Sequence, residues 1–129
     1  MPDGRQARIQ VLVVDDHKIV REGLASLLGE QPDIEVIGQA GNGQEAVRMT
    51  SSLRPEVVIM DISMPLMNGD EATREIKMQM PDTRIVALSM FEDEEMIKKM
   101  LRAGADSYVL KTAPSAKLIA AIRGATSSV

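Results

Sequence analysis

The sequence contains no cysteine and no tryptophan, and its 129 residues include one histidine, one tyrosine and one phenylalanine. Without cysteine, disulfides and thiolate metal sites are excluded. With so few aromatics, packing falls to aliphatic side chains and to ten methionines, which fill irregular gaps in a core. Long hydrophobic runs are also missing, so no segment can span a bilayer as a helix. The first six residues, Met1 to Gln6, lack the apolar core of a signal peptide, and a cytoplasmic location is expected. There is no excess of positive charge: 15 Lys and Arg stand against 19 Asp and Glu, a net charge of -4. The chain therefore has no overall basic footprint for nucleic acid. At 44% hydrophobic and 26% charged it has an ordinary globular composition, long enough for one core and one domain.

Three apolar runs each end in charge. Val11 to Val14 stops at Asp15-Asp16, Val57 to Met60 at Asp61, and Tyr108 to Leu110 at Lys111. Short runs of branched residues predict strands buried on both faces, as in a parallel sheet covered by helices. Strands are expected at Ile9–Asp15, Ile34–Ala40, Val57–Asp61, Arg84–Ser89 and Ser107–Lys111. In the second, Ile34, Val36 and Gly38 are expected to share one face. Between them, helical periodicity and caps predict helices over about Lys18–Gly29, Gly43–Leu53 and Asp70–Met80, one opening at Glu92 to Glu95, and one from Ser115. In the first helix Val20, Leu24, Leu27 and Leu28 form one apolar face. Five βα units imply an α/β fold: a three-layer, flavodoxin-like (βα)5 sandwich around a parallel sheet in the order 2-1-3-4-5. That order makes the first and third strands neighbours, so Asp15, Asp16 and Asp61 meet at the carboxyl edge of the sheet, where such folds bind ligands.

Clustered carboxylates repel, and a cation relieves them; oxygen ligands suit Mg²⁺, which keeps waters and shares phosphate oxygens. Asp16 and Asp61 are the expected direct ligands, with Asp15 direct or through water and the Ser63 backbone carbonyl as a further oxygen. A carboxylate can attack phosphorus to form an aspartyl phosphate, and Asp61 is the candidate. Lys111 and the Ser89 hydroxyl can meet the equatorial phosphoryl oxygens. Taken singly, each residue has a plainer explanation: a helix cap for Asp-Asp, a surface position for Lys111, a loop residue for His17. The joint pattern carries the assignment. A Mg²⁺-dependent phosphatase with an aspartyl nucleophile is disfavoured, because Ser63 rather than an acid stands two residues after Asp61. A nucleotide-binding fold is disfavoured because Asp15-Asp16-His17-Lys18 is no glycine-rich loop.

The motifs VLVVDDH, VVIMDISMPLMNG, IVALSMFED and GADSYVLK, in this order and spacing, resemble a bacterial response-regulator receiver domain across about Ile9 to Arg123. DDHKIVREGLASLL and LKTAPSAKL are most similar to the NarL/FixJ branch, whose members usually carry a C-terminal LuxR-type helix-turn-helix. The resemblance implies that Asp61 is the phosphoacceptor, that Asp15 and Asp16 hold Mg²⁺ with it, and that Lys111 binds phosphoryl oxygens. It also implies Ser89 and Tyr108 as hydroxyl and aromatic switch residues, and a histidine of a partner sensor kinase as phosphoryl donor. Residues 1–8 are then an N-terminal tail, 9–123 the receiver, and 124–129 the start of a linker. Homodimerisation on phosphorylation and DNA contact through a domain beyond this chain are expected, with no membrane partner. The alternative is a stand-alone receiver acting as a protein-interaction module; in neither case is the chain an enzyme acting on external substrates. Two departures from many receivers stand out. Thr112 rather than proline follows Lys111, so a trans bond is expected there. Met90 follows Ser89, and its bulk at the rim is expected to slow water attack on an acyl phosphate.

Overall fold

The computed structural model describes residues 8–62, 68–90 and 92–124. Strands and helices alternate through them: β1 (Ile9–Val14), α1 (Lys18–Gly29), β2 (Ile34–Ala40), α2 (Gly43–Leu53), β3 (Val57–Asp61), α3 (Gly69–Gln79), β4 (Arg84–Ser89), α4 (Glu94–Ala103), β5 (Ser107–Leu110) and α5 (Ser115–Arg123). All pairings are parallel, in the order β2-β1-β3-β4-β5. The flavodoxin-like architecture expected from the five βα units is the observed one.

The two faces of the sheet carry separate cores. Leu12, Val14, Val58, Met60, Ile85 and Ala87 pack on one side with Ala46, Ala72, Ile76 and Met100 from α2, α3 and α4. Val11, Val13, Val57, Ile59, Val86 and Leu88 pack on the other with Leu28 and with Leu118, Ile119 and Ile122 of α5. Alternate residues of one strand thus serve opposite cores, which is why the central strands are apolar throughout.

Strand β2 departs from its expected alternation. Its register with β1 slips between Val11 and Leu12, so that Val36 pairs with Val11 but Gly38 with Leu12. The extra residue is Ile37. A bulge of this kind reverses the facing of everything after it. Gly38 therefore lies on the α2 side, opposite Ile34 and Val36. A Cβ there would come within 2.9 Å of Leu53 Cδ1 and 3.0 Å of Met49 Cε, so the glycine lets α2 sit close. The stripe on α1 is also shorter than predicted. Leu28 is buried and Leu24 and Leu27 pack on the core, but Val20 is 40% exposed.

Local caps explain the helix starts. Asn42 accepts from Glu45 N at 2.8 Å and Asp93 from Glu95 N at 3.1 Å, each satisfying first-turn donors. In α3, Glu71 reaches back to Asn68 N at 3.1 Å. At the far end, Arg84 donates to the Ala121 and Ile122 carbonyls at the end of α5, and Arg123 pairs with Asp33 at 2.7 Å. The C-terminal end of α5 is thereby held at the amino edge of the sheet.

Candidate functional site

The strand order brings the charged strand ends together. Asp15 follows β1 and is fully buried; Asp61 ends β3 and is 4% exposed. Backbone bonds fix both. Asp15 N donates to the Ala40 carbonyl at 3.0 Å, and Ile62 N to Leu88 O at 3.1 Å. Lys111, just past β5, reaches across to them. Its ammonium lies 2.8 Å from Asp15 Oδ2 and 3.4 Å from Asp61 Oδ1. Burial alone pushes the Lys111 ammonium down, but the hydrogen bond to Asp15 and the charges of Asp61 and Asp15 outweigh it. Its pKa stands above the ordinary lysine value.

Asp16 and His17 complete the edge. One ligand atom from each of Asp15, Asp16, His17 and Asp61 lies within 4.8 Å of the others. Asp16 Oδ1 is shut off from solvent and accepts no hydrogen bond among the described residues. Three carboxylates converging at one edge, with a buried oxygen that accepts no hydrogen bond and has the exposed His17 Nδ1 3.2 Å away, are what a hard divalent cation satisfies, so the residues present fit one. Ser89, 5% exposed, ends β4 beside Asp61's strand, since Leu88 pairs with Asp61. Its carbonyl accepts from Lys111 N at 2.7 Å, coupling the two strand ends. No peptide bond among the described residues is cis, so the bond after Lys111 is trans, as expected.

Other expectations fall elsewhere. Tyr108 is 37% exposed on the edge strand, in a groove with Leu101 and Lys117, away from the carboxylates. Ser63, expected to offer its carbonyl, lies outside the described residues.

Two site residues were not picked out by the sequence reading. Arg21 donates to the Asp15 carbonyl at 2.9 Å and to Gln39 Oε1 at 3.2 Å, tying the turn after β1 to β2. No local pattern announces this; only an arginine about one turn into α1 hints at it. Gly69 is the second. A Cβ there would collide with the Asp61 carbonyl oxygen and stand 2.7 Å from Ile62 Cα, so α3 begins directly against the backbone that carries Asp61. An Asn-Gly pair is a turn signal in any sequence, but a close approach of this kind is not legible there.

Comparison with known proteins agrees with this geometry. The model of the response regulator receiver domain matches residues 11–123. The chain belongs to that family. It is 47% identical over 118 residues to the transcriptional regulatory protein LiaR of Bacillus subtilis, covering 92% of this chain and 56% of LiaR. A LuxR-family two-component response regulator from an Aurantimonas species superposes with a TM-score of 0.87 at 35% identity, over 92% of this chain and 84% of that one. A chain of the CheX–CheY complex with BeF3 and Mg²⁺ from Borrelia burgdorferi superposes with a TM-score of 0.83 at 25% identity, over 92% and 89%. The receiver spans about half the length of the curated relatives it matches. It is a receiver domain of two-component response regulators of the LuxR type.

Proposed function

We propose that this receiver takes a phosphoryl group onto Asp61 from a phosphorylated histidine of a sensor kinase. The observation that carries this reading is the meeting of Asp15, Asp16 and Asp61 at one sheet edge, with the Lys111 ammonium 3.4 Å from Asp61 Oδ1. An Asp61 carboxylate oxygen attacks phosphorus, a P–O bond forms, and the P–N bond to the donor imidazole breaks. The departing nitrogen keeps the electron pair and is protonated by solvent. Lys111 and the Ser89 hydroxyl bind the phosphoryl oxygens, whose charge is spread over three equatorial positions. Asp15, Asp16 and Asp61, with the Ser63 carbonyl, would hold Mg²⁺. Bound there, it supplies positive charge to the phosphoryl oxygens and offsets the carboxylates. Receivers bind Mg²⁺ at such an acidic pocket, and the CheY complex above contains it.

In the switch, Ser89 moves toward the phosphoryl group and Tyr108, exposed in this structure, fills the vacated space. This is a two-state element biased by a local charge event. Residues 9–123 form the receiver, flanked by a tail at 1–8 and a linker start at 124–129. In a full-length regulator the output is a LuxR-type helix-turn-helix that contacts DNA, with a homodimer formed on phosphorylation. The chain assists its own phosphorylation and dephosphorylation and acts on no external substrate. It works in the cytoplasm; no helix among the described residues is long and apolar enough to cross a membrane.

The test is intact mass after incubation with acetyl phosphate, with and without Mg²⁺, for wild type and Asp61→Asn. One Mg²⁺-dependent phosphoryl adduct, absent in the variant, is expected. An adduct of equal yield in Asp61→Asn would overturn the assignment.

A further inference from the structure

Lys111 holds Asp15 and Asp61. Asp16 has no such anchor among the described residues: its side chain is 25% exposed, its Oδ1 accepts no hydrogen bond, and the His17 ring beside it is itself 70% exposed. The backbone therefore sets where this carboxylate points. A peptide unit is planar, so one hydrogen bond restrains the whole unit. Both units that flank Asp16 carry one. The Asp15–Asp16 unit is held through its carbonyl, which accepts from Arg21 Nη1 at 2.9 Å. The Asp16–His17 unit is held through its N–H, which donates to Asp15 Oδ1 at 2.9 Å. Arg21 is anchored in turn, its own N–H donating to the His17 carbonyl at 2.9 Å. The bulge in β2 aims the guanidinium. In an unbroken strand Gln39 would face away from Ile34 and Val36; the slip at Ile37 turns it to their side, where α1 lies. There its Oε1 accepts from Arg21 Nε at 3.2 Å. Two fixed donors of one planar fork thus bridge the end of β2 and the turn after β1.

We propose that Arg21 is a positioning residue for the divalent cation. With Gln39 behind it, Arg21 presets the peptide that carries Asp16, so that this carboxylate meets the ion already ordered. The inference rests on the acidic pocket being the cation site. Arg21 touches neither the ion nor the phosphoryl group; it acts through the Asp15 carbonyl. Groups that orient a ligand from behind change metal affinity about 10–100-fold when removed. Gln39 holds only the far end of the fork, so its loss costs less. An ion that must first order Asp16 binds more weakly, yet orders it once bound. The loss therefore falls on affinity rather than on the reaction at saturation. The slip in the edge strand β2 then has a use: it re-aims one side chain onto the arginine that holds the pocket turn.

The test measures Mg²⁺ affinity by calorimetry, and the initial rate of phosphorylation by acetyl phosphate across Mg²⁺ concentrations, for wild type, Arg21→Met, Arg21→Lys and Gln39→Ala. Melting temperature in chelator is read alongside. The Mg²⁺ dissociation constant and the concentration giving half-maximal rate are expected to rise about tenfold in Arg21→Met and about threefold in Gln39→Ala, with the rate at saturating Mg²⁺ falling far less. Arg21→Lys should fall between, because an ammonium can meet the Asp15 carbonyl but has no second fixed donor for Gln39. Lower melting temperatures with unchanged Mg²⁺ affinity would overturn the proposal and leave Arg21 a purely structural staple. So would an equal loss of rate at every Mg²⁺ concentration. A loss in Arg21→Met with none in Gln39→Ala would overturn the part given to Gln39 and the bulge. If Arg21→Met fails to fold, Arg21→Lys and Gln39→Ala decide, and wild-type affinity in both overturns it. If wild type binds no Mg²⁺ and forms no adduct that depends on it, the pocket reading falls and this inference with it.

Discussion

Replacing Lys111 with methionine removes the one ammonium that faces both Asp15 and Asp61 among the described residues, while keeping most of the side chain's volume. At 2.8 and 3.4 Å the gross attractions are about 6 and about 5 kcal/mol with an effective dielectric of about 20. Most of this is offset by the cost of drawing the ammonium out of water, since its side chain is only 13% exposed. What decides the outcome is the state left behind. Asp15, fully buried, is left beside Asp61 without the ammonium. Removing one member of a buried pair costs about 3–5 kcal/mol; the solvent edge at Asp16 places this one near the low end, about 3 kcal/mol. With a urea slope of about 2 kcal/mol/M, the midpoint in chelator should fall by about 1.5 M. Divalent cation should then help the variant more than the wild type, because three carboxylates are left without their ammonium. A concentration of about ten times the dissociation constant returns about 1.4 kcal/mol. The pH dependence has a definite sign. The folded-state pKa of Lys111 is raised, so its contribution is complete below the ordinary value of 10.5 and is lost as pH rises through the folded value. The variant should lack that alkaline loss. Equal urea midpoints for Lys111→Met and wild type in chelator would refute the reasoning.

Gly69→Ala should destabilise the domain by about 2 kcal/mol in urea unfolding, because the new methyl has only the Asp61 carbonyl and Ile62 Cα to meet; a cost under about 0.5 kcal/mol would show that α3 can retreat. The hydrogen bond from Arg123 holds the Asp33 carboxyl below its ordinary range, so the pair contributes above pH 3.8 and loses that contribution as pH falls through the lower folded value. Melting temperatures of wild type and Asp33→Asn should therefore converge below about pH 4; a constant gap down to pH 2.5 would contradict this. Met90, half-exposed just past Ser89, should shield an acyl phosphate, so Met90→Ala should shorten the adduct's lifetime several-fold by mass spectrometry. An unchanged decay would dispose of that role.

Most of the fold was legible because its central strands are buried on both faces and several of its helices carry their own caps. Apolar runs such as Val57 to Met60 have one reading, and Asn42, Asp93 and Pro114 mark helix starts within a residue or two. The Ile37 bulge was not legible. A register slip depends on how two strands and α2 fit together, and Ile-Gly in a strand looks the same with or without one. Of the site, Asp15, Asp16, Asp61, Ser89 and Lys111 could be found because each stands at a strand end, and topology converts that position into proximity. Arg21 and the approach of His17 Nδ1 to Asp16 could not, because both depend on side-chain reach rather than on register. Tyr108 was identifiable as a residue but not by its place: alternation on an edge strand fixes which face it takes, not how far it is covered.

The anchoring of α5 sets the kind of signal this domain can send. Arg84 and Asp33 hold the end of that helix at the opposite edge of the sheet from Asp61. The length of β4 separates the two edges, roughly 17 Å at about 3.3 Å per residue. That is about twice the screening length of physiological salt. A unit charge added at the pocket acts over that distance with only about 1 kcal/mol at an effective dielectric of about 20, and with less where salt reaches. The larger signal available is mechanical: a small tilt or slide of α5 against the sheet, carried through β4, whose Arg84 holds the end of that helix.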